Sequence, residues 1–143
     1  MPTDSLLKRA LARLRRVHHV LLFVAVGSCA AALHWSVVVG LVESFGWQPL
    51  ASNLAGWIVA MVVSFVGHYR LTFRGHRAPL LRSALRFVLV SGLGFAINQT
   101  AYALLLAGNA RWYSLKLAAV LIGVALITYV LSRHWTFLRS AGN

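Results

Sequence analysis

Four long runs of apolar residues alternate with short polar segments along the chain. The runs cover residues 20–42, 50–67, 87–106 and about 113–131. Each is close to the roughly 20 residues that an α-helix needs to cross the hydrocarbon of a bilayer. Helix breakers interrupt the chain between the runs: Gly46 and Pro49, Gly75 and Pro79, and Gly108 and Asn109. The pattern predicts an all-α integral membrane protein with four transmembrane helices.

The composition favours a membrane over water. Apolar residues make up 59% of the 143 residues and charged residues 11%, whereas soluble proteins have about 25% charged residues. The net charge of +12 comes from 14 Lys and Arg against two acids, Asp4 and Glu43. A single cysteine, Cys29, excludes a disulfide framework. With so few carboxylates, we expect neither a metal site nor a cofactor.

The distribution of basic residues indicates how the helices are oriented. Five Lys and Arg precede the first run, five lie between the second and third, and two follow the fourth. Of the charged residues, the other two turns hold Glu43 on one and Arg111 with Lys116 on the other. Because basic residues are retained on the cytoplasmic side, this bias predicts that both termini lie in the cytoplasm. Topology accounts for the charge, so we expect no nucleic-acid partner.

The N-terminal segment has several interpretations. Residues 1–19 are predicted to be either a basic amphipathic helix at the membrane surface or a disordered tail, and residues 140–143 form a short C-terminal tail. Residues 26–29 also resemble a lipoprotein cleavage box that ends at Cys29. The apolar run continues to Val42, which favours an uncleaved helix. Residues 20–139 are then one membrane domain.

An internal repeat relates the two halves of the chain. Shifting the sequence by 64 positions aligns residues 22–73 with 86–137 and superposes two Thr-Phe pairs, 72–73 and 136–137. Small residues also recur at four-residue spacing in the odd-numbered helices: Ser28, Ala32, Ser36 and Gly40, then Gly92, Ala96 and Thr100. Small side chains let helix backbones approach closely in lipid. The repeat predicts a duplicated two-helix hairpin whose halves run in the same direction.

The sequence resembles the GtrA-like family of small four-helix bacterial membrane proteins over about residues 20–139. The starts of the odd-numbered helices carry the resemblance, at Phe23, Val26 and Gly27 and at Arg86, Phe87, Val90 and Ser91. The ends of the even-numbered helices carry it as well, at Ser132, Arg133, His134, Trp135, Thr136 and Phe137 and, less closely, at His68, Tyr69, Arg70, Leu71, Thr72 and Phe73. Ser132 departs from the Asn of the family pattern, and Leu71 from its Trp.

The resemblance implies a role in cell-surface polysaccharide synthesis at the bacterial inner membrane. Members of the family are associated with moving polyprenyl-phosphate-linked sugars across the cytoplasmic membrane. Related four-helix segments are also fused to polyprenyl-phosphate glycosyltransferases as membrane anchors. The first hypothesis is therefore a flippase for a polyprenyl-phosphate sugar, and the second is a scaffold that recruits a membrane glycosyltransferase.

Candidate substrate-binding residues fall into two groups. His34 and Asn98 occupy equivalent repeat positions within spans, with Gln99 beside the latter, and their neutral polar groups can bond sugar hydroxyls without burying a charge. Hydrogen bonds between helices are the alternative role of such residues, but the polar groups at both equivalent repeat positions favour binding for His34 and Asn98. Four arginines near the predicted cytoplasmic ends of helices are candidates for the lipid phosphate: Arg70, Arg74, Arg86 and Arg133. Orientation and attraction to anionic lipids are their alternative roles.

Catalysis by the chain is not expected. Its two acids do not provide the paired carboxylates of glycosyl chemistry, and no nucleotide-binding Walker loop is present. A small-solute exporter is a third hypothesis, although no span clearly carries the carboxylate that proton coupling ordinarily uses. Four thin helices enclose little space, so we also predict self-association, with a dimer favoured.

Overall fold

The computed structural model describes residues 3–72 and 79–138, with side chains mainly within 11–127, and these residues form four α-helices. Helix α1 spans Thr3–Phe45, α2 spans Pro49–Gly67, α3 spans Leu80–Leu106 and α4 spans Tyr113–Leu138. A short π-helix, His68–Thr72, continues α2. None of the described residues lies in a β-strand, so the all-α prediction is confirmed.

Three helices are long and apolar enough to cross a bilayer. Their candidate spans are Val20–Phe45, Pro49–Leu71 and Leu80–Leu106. The apolar stretch in α4, Tyr113–Ile127, is shorter when only described residues are counted. The prediction of a membrane protein with several long apolar helices is therefore confirmed, and the fourth span, the topology and the duplication stay predictions. Helix α1 also extends well before its span, so the basic N-terminal segment and the span form one continuous helix.

Helices α1 and α2 are joined by a tight turn. Gly46 has a backbone φ of 67°, in the left-handed region that favours glycine. Its amide donates to the carbonyl of Val42 at 3.1 Å, which ends α1. Pro49 begins α2, where its missing amide proton costs no helical hydrogen bond. The breakers in the sequence therefore determine this hairpin.

The helices alternate in direction, so their ends meet in two groups. We call the group that includes Arg70, Arg82 and Arg86 the basic end, and the opposite group the far end. At the basic end, the rings of Phe23, His68 and Phe87 bring together the start of the α1 span, the end of α2 and the start of α3. At the far end, the Tyr113 hydroxyl donates to Glu43 at 2.6 Å and so joins the start of α4 to the end of α1. Helix α2 packs between α1 and α3, and α4 packs against α3 and α1.

The hydrophobic core lies toward the far end. Val38, Tyr102, Leu117 and Val120 are buried there and join α1, α3 and α4. Most other large apolar side chains are exposed on the helix surfaces, as expected where lipid replaces water. The stripe on α1 formed by Ser28, Ala32, Ser36 and Gly40 is exposed as well. These small residues are therefore not used to pack the helices of one chain together.

Candidate functional site

Four polar side chains from three helices meet inside the bundle. They are His34 on α1, Asn53 on α2, and Asn98 and Gln99 on α3, which we call the polar cluster. His34, Asn53 and Asn98 are buried, and Asn53 is fully inaccessible. The structure therefore brings together three predicted residues, His34, Asn98 and Gln99, and adds a fourth.

Asn53 holds the polar cluster together. Its side-chain amide nitrogen donates to Oδ1 of Asn98 at 2.9 Å and to Oε1 of Gln99 at 2.6 Å. Its side-chain oxygen therefore accepts, and Nε2 of His34 donates to it at 2.7 Å. Nε2 of His34 also lies 3.1 Å from the backbone oxygen of Asn53. The geometry thus requires a proton on Nε2 of His34.

One donor of the polar cluster is left over. Gln99 Nε2 donates to the backbone oxygen of Leu50 at 3.2 Å. Within the described part of the chain, Nδ2 of Asn98 is buried and has no hydrogen-bond partner. A buried unsatisfied donor costs about 1–3 kcal/mol, which a hydrogen-bonding ligand can recover.

Close contact between α1 and α2 positions His34. A Cβ atom at Gly56 would lie 2.6 Å from Cδ2 of His34 and 2.9 Å from its backbone oxygen. Only glycine allows the two backbones to approach this closely. At Gly67 a Cβ atom would lie 2.8 Å from Cγ1 of Val26. The two glycines set the spacing of the helices along their length.

The polar cluster lies nearer the far end than the basic end. Asn53 is four residues after the start of α2 and Asn98 is eight residues before the end of α3. At 1.5 Å per residue these positions are about 6 Å and 12 Å from the far ends of their helices. Most of the length of α2 therefore separates the polar cluster from the basic end.

Two cavities occupy the intervening length. The basic-end cavity has a volume of about 450 Å³ and is lined by Phe23, Phe65, His68, Tyr69, Ser83, Arg86, Phe87 and Val90. A smaller cavity of about 150 Å³, the middle cavity, is lined by Ala30, Ala31, His34, Trp57, Ala60, Met61, Ser64, Phe87 and Ser91. Phe87 lines both cavities, and His34 joins the middle cavity to the polar cluster.

The middle cavity is bounded by an ordered aromatic contact between α2 and α3. The indole nitrogen of Trp57 donates to the Ser91 hydroxyl at 3.0 Å. The Trp57 ring also stacks on Phe95 with a centroid distance of 4.6 Å. Offset stacking at this distance stabilises the α2–α3 contact beyond simple burial.

The structure describes the side chains of two of the four predicted phosphate-binding arginines, Arg70 and Arg86. Arg86 lines the basic-end cavity. Arg70 is exposed on the π-helix and is not among the residues that line this cavity. Arg74 lies outside the described residues, and Arg133 lies in α4 with its side chain outside them.

Metal ligands do not cluster in the described ranges 3–72 and 79–138. No group of three or more His, Cys, Asp and Glu residues there is arranged to hold a metal ion.

The polar cluster and the two cavities together offer neutral hydrogen-bonding groups, the guanidinium group of Arg86 and an apolar wall. Such groups suit a ligand with a polar headgroup joined to an apolar chain.

Comparison with known families shows the family to which the sequence belongs. A family model described as GtrA/DPMS, transmembrane domain, matches residues 22–137, which is most of the chain. The chain belongs to this family. The resemblance of the sequence to GtrA-like proteins is thereby confirmed. No curated protein and no solved structure was found to match the chain.

Two parts of the candidate site of this GtrA/DPMS family member were not predicted from its sequence: Asn53 and the aromatic lining of the basic-end cavity. Asn53 was not among the selected binding residues, although it lies on the α2 face that carries Gly56, Ala60 and Ser64 at helical spacing. That spacing is a signal that could have selected it. The aromatic lining of the basic-end cavity, such as Phe23 and Phe65, has no comparable signal because lipid-facing phenylalanines look the same in sequence.

Proposed function

We propose that this protein moves a polyprenyl-phosphate-linked sugar across the bacterial cytoplasmic membrane for the synthesis or modification of cell-surface polysaccharide. Membership of the GtrA/DPMS transmembrane-domain family is consistent with a function related to polyprenyl-phosphate sugars. The observation that carries the proposal is the polar cluster, in which three apolar helices bury His34, Asn53 and Asn98 beside the partly buried Gln99. Within the described residues, Nδ2 of Asn98 is left without a hydrogen-bond partner.

Neutral polar groups suit a sugar that must pass through hydrocarbon. A charged side chain at membrane depth is costly, whereas amides and imidazole exchange hydrogen bonds with hydroxyl groups at small net cost. The Asn98 amide supplies a free donor for an incoming hydroxyl, and His34 links the polar cluster to the middle cavity. The basic-end cavity, the middle cavity and the polar cluster follow one another between α2 and its neighbours, from Arg86 at the basic end to Asn53 near the far end.

The basic end is assigned to the cytoplasm in this proposal, with both termini inside and four spans. Its support is the excess of basic residues before residue 20, between residues 67 and 87, and after residue 131, outside the four apolar runs. In this orientation the lipid phosphate, which carries the sugar, binds beside Arg86 before transport starts. The chain acts without catalysis, because transfer of the sugar is left to a separate glycosyltransferase.

Transport is tested with the purified protein in liposomes that contain a labelled polyprenyl-phosphate sugar. The double variant His34→Ala with Asn98→Ala is expected to lower flux at least tenfold, since it removes hydrogen bonds worth about 1.5 kcal/mol or more in total. Thr100→Ala is the matched control, because the Thr100 hydroxyl is exposed and donates to its own helix at the carbonyl of Ala96. Unchanged flux in the double variant would exclude the polar cluster from the mechanism.

A second candidate is a scaffold that anchors a polyprenyl-phosphate glycosyltransferase without transport. It is favoured by the hydrogen bonds of Asn53, which satisfy most of the polar cluster internally, as interhelical bonds do. The same liposomes distinguish the two functions. A carrier moves the labelled lipid in the absence of any enzyme, whereas an anchor leaves it in the original leaflet.

Self-association is part of the proposal. The small-residue stripe on α1 is exposed, and a Cβ atom at Gly40 or at Gly92 would meet no atom within 4 Å. Such faces allow close packing with another helix in lipid. We propose a homodimer formed through these faces, which cross-linking in bilayers tests directly. Detection of monomers alone at all protein-to-lipid ratios would exclude it.

A further inference from the structure

We propose that the basic-end cavity binds one polyprenyl phosphate, with Arg86 and Ser83 at the phosphate and the surrounding aromatic rings against the first isoprene units. The identity of the lipid rests on the proposed function, whereas the binding site rests on the cavity itself. The volume of about 450 Å³ falls within the roughly 300–1,000 Å³ of small-molecule sites. That volume suits a headgroup phosphate and a few isoprene units, with the remaining chain in the bilayer.

The walls of the cavity are made of rings that contact one another. Phe23 lies 4.6 Å from His68, and Phe87 lies 5.4 Å from Phe65, measured between ring centroids. His68 and Phe87 are 6.2 Å apart and complete the link between α1 and α3. Flat, unsaturated isoprene units can lie against such ring faces, whereas a straight saturated acyl chain has no planar group to match them.

The opening of the cavity determines what can enter it. Phe23 and Val90 line the cavity and are also exposed on the outer surface of their helices. This surface belongs to candidate membrane spans, so the molecules that reach it from the side are lipids. The ligand is therefore expected to enter laterally from the bilayer.

Charge favours an anionic headgroup at this position. Arg86 lines the cavity one turn and a half from the start of α3, among residues that carry no carboxylate. No Asp or Glu follows Glu43 in the sequence, and Glu43 bonds Tyr113 at the far end. A guanidinium group binds phosphate oxygens in pairs. Ser83, which also lines the cavity, adds a hydroxyl donor one turn earlier on α3.

Arg82 provides the matched control for Arg86. It carries the same charge, lies on α3 one turn before Arg86 and is exposed as Arg86 is, but it does not line the cavity. An arginine that acts only through general attraction to anionic lipid should behave alike at both positions. A difference between Arg86→Gln and Arg82→Gln therefore reports the cavity and not the surface charge.

The experiment measures binding of radiolabelled farnesyl phosphate, a short isoprenoid phosphate, to the full chain in nanodiscs of zwitterionic lipid. Competitors separate the contributions: dodecyl phosphate has the phosphate on a linear chain, farnesol has the chain without phosphate, and phosphatidylglycerol and inorganic phosphate represent bulk lipid and free anion. We expect farnesyl phosphate to compete best. Equal competition by dodecyl phosphate, phosphatidylglycerol or inorganic phosphate would overturn the proposal.

The variants locate the ligand within the cavity. Arg86→Gln is expected to weaken farnesyl phosphate binding on the order of 10- to 100-fold, and Arg82→Gln to leave it within about twofold. Phe87→Leu keeps an apolar side chain without the ring and is expected to reduce the preference for farnesyl over dodecyl phosphate by about 2- to 10-fold. Equal losses in the two arginine variants, or an unchanged chain preference in Phe87→Leu, would contradict the assignment.

Binding and transport fail separately in this design. Nanodiscs report binding with no flux, so an intact binding pattern together with absent flux in liposomes would retain the site and remove the flippase. Absent binding together with intact flux would retain the flippase and exclude the basic-end cavity as the binding site. Helical content of each variant, measured by circular dichroism, confirms that a loss of binding does not reflect unfolding.

Discussion

Replacing Gly56 with alanine tests whether close contact between α1 and α2 positions the polar cluster. The added Cβ atom would lie 2.6 Å from Cδ2 of His34, 2.9 Å from its backbone oxygen and 2.9 Å from Cγ2 of Val38. Real Cβ contacts are almost never below 3.0 Å, so α1 must move away from α2. A rotamer change cannot relieve the contact because one of the atoms belongs to the backbone.

Gly67 and Gly94 provide comparisons in which the added Cβ atom makes a milder contact or none. At Gly67 the clash is with the side chain of Val26, at 2.8 Å, and a small shift of that side chain reduces it. At Gly94 in α3 a Cβ atom meets nothing within 4 Å. Gly94→Ala therefore measures only the gain in helix propensity, about 0.5–1 kcal/mol.

We expect Gly56→Ala to be destabilised by about 2–3 kcal/mol relative to Gly94→Ala, and Gly67→Ala by about 1 kcal/mol. The assay is reversible unfolding in mixed micelles, followed by circular dichroism with increasing fraction of denaturing detergent. Because His34 must move with α1, Gly56→Ala should also lower flux in liposomes. Equal unfolding free energies for Gly56→Ala and Gly94→Ala would refute the argument that this glycine sets the helix spacing.

Three further outcomes follow from the contacts. Asn53→Leu, which introduces the residue found 64 positions later at Leu117, should lower the unfolding free energy by about 1–3 kcal/mol, since it leaves the partners of Asn53 unsatisfied; a change below about 0.5 kcal/mol in the micelle assay would argue against a bonded cluster. Gly40→Leu should leave the fold intact, because its Cβ meets no atom within 4 Å, but should lower cross-linking yield in bilayers; unaltered yield would remove this face from the dimer. Tyr113→Phe loses the 2.6 Å bond to Glu43 at an exposed site, so melting temperature and flux should change little; a large loss of flux would show that the far end takes part in transport.

The pattern of apolar runs was sufficient to predict the helices and the polar residues worth testing. The predicted run 50–67 agrees with α2 to within one residue at each end. The run 87–106 ends at the same residue as α3, although α3 begins earlier, at Leu80. Helix formation depends on local propensity and on the demand that backbone groups be satisfied within hydrocarbon. His34, Asn98 and Gln99 stood out because polar side chains are rare in such runs.

The central position of Asn53 in the polar cluster, and the cavity that Arg86 lines, came only from the tertiary structure. Arg86 was a candidate from its sequence, but the sequence does not show that it lines a cavity while Arg82, one turn earlier with the same charge, does not. Which side chains meet depends on how closely the helices approach and on their rotation about their axes. Those quantities are decided by contacts between distant residues, such as Gly56 with His34, because the interaction energy of a buried group depends on its neighbours in space.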